Sequence, residues 1–211
     1  MSIIVSEGSG TTDFQLVPEG VHQAVCDMVV DLGLQETEWK GKKSKKHQLY
    51  VRWQIPEERI NYTDRDGKDA EGPMVIGRTY TATLDERSNL RRDLAAWRGR
   101  DFTEDELNEF DVAKIIGKNC QIQIQHKKGE KRTYANIGSI MALPKGCATI
   151  PHEGDLVVYD SDHDSYDKLP EWLAKKVDSQ IICKRENDAL PPDDGPMAGE
   201  YDGFTEDDIP F

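Results

Sequence analysis

The sequence predicts a mainly β protein with helical insertions. Several stretches alternate apolar and polar residues with the period of a half-buried strand. The period turns helical only between Ser88 and Gly117 and again from about Pro170. The acidic, proline- and glycine-bearing run from Asp188 to Phe211 predicts a disordered tail.

In the first element, Val21 to Leu32, alternation sets Ala24, Cys26, Met28, Val30 and Leu32 on one face and Asp27 and Asp31 on the other. Leu49, Val51, Trp53 and Ile55 repeat the pattern as a core face, with Tyr50, Arg52 and Gln54 outward. A polar connection, 56–73, follows with Asp66-Gly67 and Glu71-Gly72 turn signals, and Val75 to Leu84 reads as a third strand. Leu90, Leu94 and Trp97 then lie at i, i+4 and i+7 behind Ser88, an N-cap, and Gly99 ends that helix. Thr103 and Glu106 form a capping box flanked by the staple pair Phe102 and Leu107, and a short helical piece, 111–116, stops at Gly117. Cys120, Ile122 and Ile124 alternate with Gln121, Gln123 and Gln125 as a fourth strand, and Thr133 to Met141 is a fifth.

Three strands, a helical insertion and two further strands give the connectivity of a five-stranded OB-fold barrel, a small, partly open barrel. The expected division is a flexible N-terminus (1–13), an OB-fold domain (14–142), a helical appendage (143–187) and the disordered acidic tail (188–211). The appendage's C-terminal helix would turn Trp172, Leu173 and Val177 inward.

The 211 residues carry a net charge of −13. Eight acidic residues and no Lys or Arg fall in 188–211, so taking those eight from −13 leaves −5 over residues 1–187. A nucleic-acid partner is therefore not excluded, because a local basic patch decides binding rather than the total. Cys26, Cys120, Cys147 and Cys183 form no CxxC pair, and Cys26, Cys120 and Cys183 sit among apolar residues, so the cysteines are read as buried free thiols, with a metal site or disulfides as the alternative. Without a secretory signal or a bilayer-length apolar run, the expected location is the cytoplasm of a bacterial host cell.

In an OB-fold the loops joining strands 1–2 and 4–5 frame the ligand groove. The two densest cationic runs fall there: Trp39, Lys40, Lys42, Lys43, Lys45 and Lys46 in the first, and Lys127, Lys128, Lys131 and Arg132 in the second. Cations track phosphates and aromatic rings stack bases. The candidate DNA-binding set therefore adds Tyr50 and Arg52 on strand 2, Tyr80 on strand 3 and Tyr134 on strand 5. The alternatives are ordinary strand packing for the tyrosines and a solvated hairpin tip for the lysines. The arginines 87, 91, 92, 98 and 100 around the insertion helix are read as ion-paired, with Asp85, Glu86, Asp93 or Asp101, the alternative being a second DNA contact.

No Walker A, GxSxG, HExxH or GxGxxG pattern occurs. Asp160, Asp162 and Asp164 echo an EF-hand loop, but Ser165 stands where glycine is needed. The expectation is a protein that is not an enzyme, with no catalytic residue, metal or cofactor.

The terminal Asp207-Asp208-Ile209-Pro210-Phe211, with Glu206 before it, resembles the acidic tip of bacterial single-stranded DNA-binding proteins (SSBs). The resemblance covers about a dozen residues and implies that the tip docks onto replication, recombination and repair enzymes. The chemistry agrees: an apolar ring, a terminal carboxylate for a basic pocket, and acids that steer towards a basic surface. The stretches from Ser88 to Leu94 and from Trp97 to Arg100 resemble phage and prophage proteins, which implies a phage origin. The expected function is thus a phage or bacterial SSB that coats single-stranded DNA and recruits enzymes through its tip. One alternative is a replication or recombination adaptor whose body binds protein; another is a metal-dependent nucleic-acid enzyme using the acids of 160–171. No membrane partner is expected, and homo-oligomerisation stays open.

Overall fold

A computed structural model of the chain describes residues 15–39, 41–63, 67–129, 132–160 and 165–181, with the backbone alone at Trp39 and Lys42. It is mainly β. The strands β1 (Gly20–Trp39), β2 (Lys42–Thr63), β3 (Asp69–Thr81), β4 (Asn119–Lys128) and β5 (Thr133–Met141) form one sheet in the order β3-β2-β1-β4-β5. All these neighbours are antiparallel, and a short β6 (Val157–Tyr159) joins β1 in parallel.

β1 gives the sheet its curl. Its first stretch, from Gly20 to Val25, pairs with β4, and its second, from Val25 to Trp39, pairs with β2. A long twisted strand that changes partner midway bends the sheet upon itself, and β5 comes back beside β3. The result is a curled antiparallel half-barrel with few helices, compatible with an OB-like barrel.

Between β3 and β4 lie α1 (Asn89–Arg98), α2 (Glu104–Asn108) and a 3-10 turn at Val112–Ile115. The Ser88 hydroxyl accepts the Arg91 N–H, Gly99 ends α1 in the left-handed region at φ 70°, and Thr103 and Glu106 close a full capping box. Leu90, Leu94 and Trp97 seat α1 on the concave core of Ala24, Cys26, Val51, Trp53, Ile122 and Ile140. The rings of Trp53 and Trp97 lie 5.9 Å apart.

Strict alternation fails in β1. A bulge between Cys26 and Met28 inserts one residue, Asp27, and reverses the faces beyond it. Ala24 and Cys26 stay in the concave core, whereas Met28, Val30 and Leu32 point to the opposite face. There they meet Tyr50, β6 through Val157, and α3 (Glu171–Asp178) through Leu173 and Val177. The sheet therefore carries two apolar cores, one on each side of β1. At the bulge Asp27 is fully buried; it accepts hydrogen bonds from Arg52 at 2.8 Å and Gln54 at 3.0 Å.

Most of the polar stretch 56–73 is strand. Past a register shift, Arg59 to Thr63 pair with Asp69 to Pro73 as a two-stranded ribbon, with Arg59 and Glu71 bridged at 2.9 Å. A ribbon largely solvated on both faces has little need of apolar alternation, which is why its sequence reads as a connection. Cys26 and Cys120 are buried and burial pushes both thiols upward, Cys147 is exposed, and Cys183 lies outside the described residues. Among the described residues no helix is long and apolar enough to cross a membrane.

Candidate nucleic-acid interface

The described residues of the two cationic runs lie on or beside paired hairpin arms rather than in open loops, and the two hairpins close towards opposite ends of β1. β1 and β2 stay paired out to Trp39 and Lys42, with Gly41 at φ 78° in the turn. Across this ribbon Glu36 faces Lys45 and Glu38 faces Lys43. Lys43 also bonds Glu36 at 2.7 Å, which raises the ammonium and lowers the carboxyl. Acids thus alternate with the lysines of this tip.

At the base of the ribbon, His47 Nε2 lies 2.6 Å from Asp31, which also accepts the Gly33 N–H at 2.8 Å. The Asp31 hydrogen bond raises His47 above its ordinary 6.5 despite partial burial. Burial pushes Asp31 up, but the bonds from His47 and Gly33 reverse it and leave the carboxyl below its ordinary 3.8. The His47 contribution to stability is complete below its unfolded value and is lost as pH rises through the raised folded value. The Asp31 contribution is present above its unfolded value and is lost as pH falls through the lowered one. The pair is therefore strongest between those limits. Between about pH 6 and pH 8 the wild type should lose up to ~1 kcal/mol relative to His47→Gln, a small effect because both groups are partly exposed. Paired thermal melts at the two pH values check it; parallel shifts in both proteins would contradict it.

The β4–β5 tip is different. Lys127 faces Tyr134 and Lys128 faces Thr133 across the ladder, and the Gly129 N–H donates to the Arg132 carbonyl at 2.8 Å. The Arg132 guanidinium stands 5.1 Å from the centre of the Tyr134 ring. Gly129 lies so close to the Cε2–Cδ2 edge of that ring that a Cβ would come within 2.6 Å of it. Down the same face run Gln125, Gln123 and Gln121, since Ile124, Ile122 and Cys120 point inward. Ser139 donates to the Gln123 carboxamide at 3.2 Å.

The expected stacking platform on β2 and β3 is not there. Tyr50 was expected to face outward. It does leave the concave core, but β6 and α3 cover that face, and it is buried edge-on to Trp172 with ring centres 5.2 Å apart. Tyr80 points into the concave core, buried, and donates its hydroxyl to Asp93 at 3.0 Å. Neither ring can receive a base in this arrangement. Arg52 is turned onto Asp27, its side chain 21% exposed.

Residues missed by the sequence reading are the amides that strap 148–153 along the sheet. Gln23 donates to the Ala148 carbonyl at 2.8 Å. Asn119 and Gln54 each make reciprocal pairs, with the backbone of Ile150 (3.0 and 2.9 Å) and of Glu153 (2.7 and 2.9 Å). An outward Gln or Asn on a strand gives no signal that separates this role from solvation.

Arginines within α1 and just after it are engaged as ion pairs, with one acid unforeseen. Arg91 binds Asp101 at 3.0 Å, and Arg98 and Arg100 converge on Glu106. Arg100, with the Thr103 N–H and Arg98 behind it, holds the Glu106 carboxyl down at about 2.

Lys40, Lys131 and the tip residues Glu206, Asp207, Asp208, Ile209, Pro210 and Phe211 lie outside the described residues. No protein-family model matches the chain, and no curated protein sequence matches it.

Proposed function

We propose that the chain is a phage or bacterial single-stranded DNA-binding protein. Its five-stranded OB-fold barrel coats single strands during replication and recombination, and its C-terminal tip recruits partner enzymes. The observation that supports this reading is that the described residues of the two densest cationic runs lie on the β1–β2 and β4–β5 hairpins, whose tips in an OB-fold frame the ligand groove. The acidic Ile-Pro-Phe tip supports it from a separate part of the sequence.

The test is a titration of tryptophan fluorescence with poly-dT and with duplex DNA, at two salt concentrations. Single strands should bind and duplex should not, with log K falling by roughly 0.7 per phosphate neutralised for each unit of log salt. No response to poly-dT from folded protein would end the proposal.

A second reading, an adaptor whose body binds protein, is favoured by the layer of β6 and α3, which covers the outward face of β1 and β2. It requires that lack of response, together with capture of a replication enzyme by the tail.

A further inference from the structure

Resting on the single-strand reading above, we infer that the DNA chain runs along the outer face of the β4–β5 hairpin, with the β1–β2 face closed to it. Three observations converge. The outward face of β1 and β2 is occupied: Met28, Val30, Leu32 and Tyr50 lie beneath β6 and α3. The space that a groove across those strands would use is filled with apolar side chains of this same chain.

The charge is also unevenly spread. Between residues 112 and 152 there are seven Lys and Arg against one Glu, in a chain whose net charge is −13. β4 and β5 themselves contain no Asp or Glu. The β1–β2 ribbon, by contrast, intersperses Glu36 and Glu38 with its lysines. A polyanion is drawn to the stretch with the larger excess of cations over acids; here the one acid of the stretch is Glu130 in the tip, and Glu19 accepts the His126 N–H at 2.7 Å.

The chemistry of the β4–β5 face suits nucleotides in the third respect. Gln125 and Asn136 are cross-strand neighbours, and Gln123 lies two residues along on the same side of β4. Carboxamides both donate and accept, so they can bond any base edge without demanding one sequence. Gly138 keeps the face flat: a Cβ there would stand 3.0 Å from the Gln125 side chain. At the tip, Tyr134 with Arg132 beside it offers an aromatic surface for stacking, and Lys127, its partner across the ladder, adds positive charge. Charge complementarity thus selects a single-stranded polyanion bearing stackable bases.

The experiment uses the full chain with a fluorescein-labelled oligo-dT. A face variant, Gln125→Glu with Lys127→Glu, and a stacking variant, Tyr134→Ala, are compared with a ribbon variant, Lys43→Ser with Lys45→Ser and Lys46→Ser. Unchanged circular dichroism and melting temperature establish that each variant is folded. Both β4–β5 variants should weaken binding at least about tenfold, and the ribbon variant less than about threefold. Wild-type binding that survives in the face and stacking variants but is lost in the ribbon variant overturns the inference while leaving the single-strand reading intact. Absence of wild-type binding defeats the reading itself. Poly-glutamate bound in place of oligo-dT would assign the face to an acidic protein and likewise overturn the inference. Photocrosslinking of iodouracil-substituted oligo-dT gives an independent readout: adducts should map to Tyr134, and adducts confined to 42–47 would count against it.

Discussion

Replacing Asp27 with Ala is expected to lower the unfolding free energy by about 3 kcal/mol, the lower end of the range for breaking a buried ion pair. Asp27 is fully buried where β1 changes face, and it is the acceptor for both Arg52 and Gln54. Its removal leaves a guanidinium and a carboxamide facing one void. Water can reach Arg52, whose side chain is 21% exposed, and that relief keeps the loss at the low end. Asp27→Asn should cost less, because the amide oxygen still accepts from one donor. Urea denaturation followed by tryptophan fluorescence measures both. A loss below ~1 kcal/mol in the alanine variant would mean that the bulge holds without its carboxylate.

Gly77→Ala should destabilise by about 2–3 kcal/mol, the upper part of the range for overpacking. A Cβ at Gly77 would lie 1.9 Å from the Tyr50 hydroxyl oxygen and 2.2 Å from its Cζ. Tyr50 crosses from β2 over the backbone of β3 and is wedged edge-on by Trp172, so the ring has no room to slide. Relief requires expelling the ring, which disturbs the packing of α3 as well. The physical cause can be isolated with a double-mutant cycle. In a Tyr50→Ala background the alanine at 77 meets no ring, and its further cost should shrink to within ~0.5 kcal/mol of zero. An undiminished cost would place the strain in the backbone of β3 instead.

Much of the fold could be read locally. The caps of α1 and α2, the strand character of Leu49 to Ile55 and Cys120 to Gln125, and the inward Trp53 and Trp97 follow from short-range pattern, and the structure has them. The failures share one cause, which is that period alone cannot register an added residue. Met28, Val30 and Leu32 continue the apolar beat of Ala24 and Cys26, yet the bulge at Asp27 sends them to the other side. Once that face is apolar, an outward Tyr50 becomes a buried one, and a site predicted from exposure is lost with it. The ribbons were misread for the opposite reason, since pairs exposed on both sides have no alternation to detect. For the interface, charge was legible and partnership was not. Lys43 and Lys127 read alike in the sequence, and only the register shows acids across from one and Tyr134 across from the other.

The sharing of β1 between two cores bears on how such a chain can be inherited. A segment that buried only its own apolar surface could be lost or exchanged by recombination and leave a folded sheet behind. Here, exchange of the part after Met141 would uncover Met28, Val30, Leu32 and Tyr50 together, a contiguous stripe on the very strand that organises the sheet. The two halves must therefore travel together. Change in length should be tolerated at the hairpin tips and at the ribbon beyond Arg59, where few buried contacts would register it.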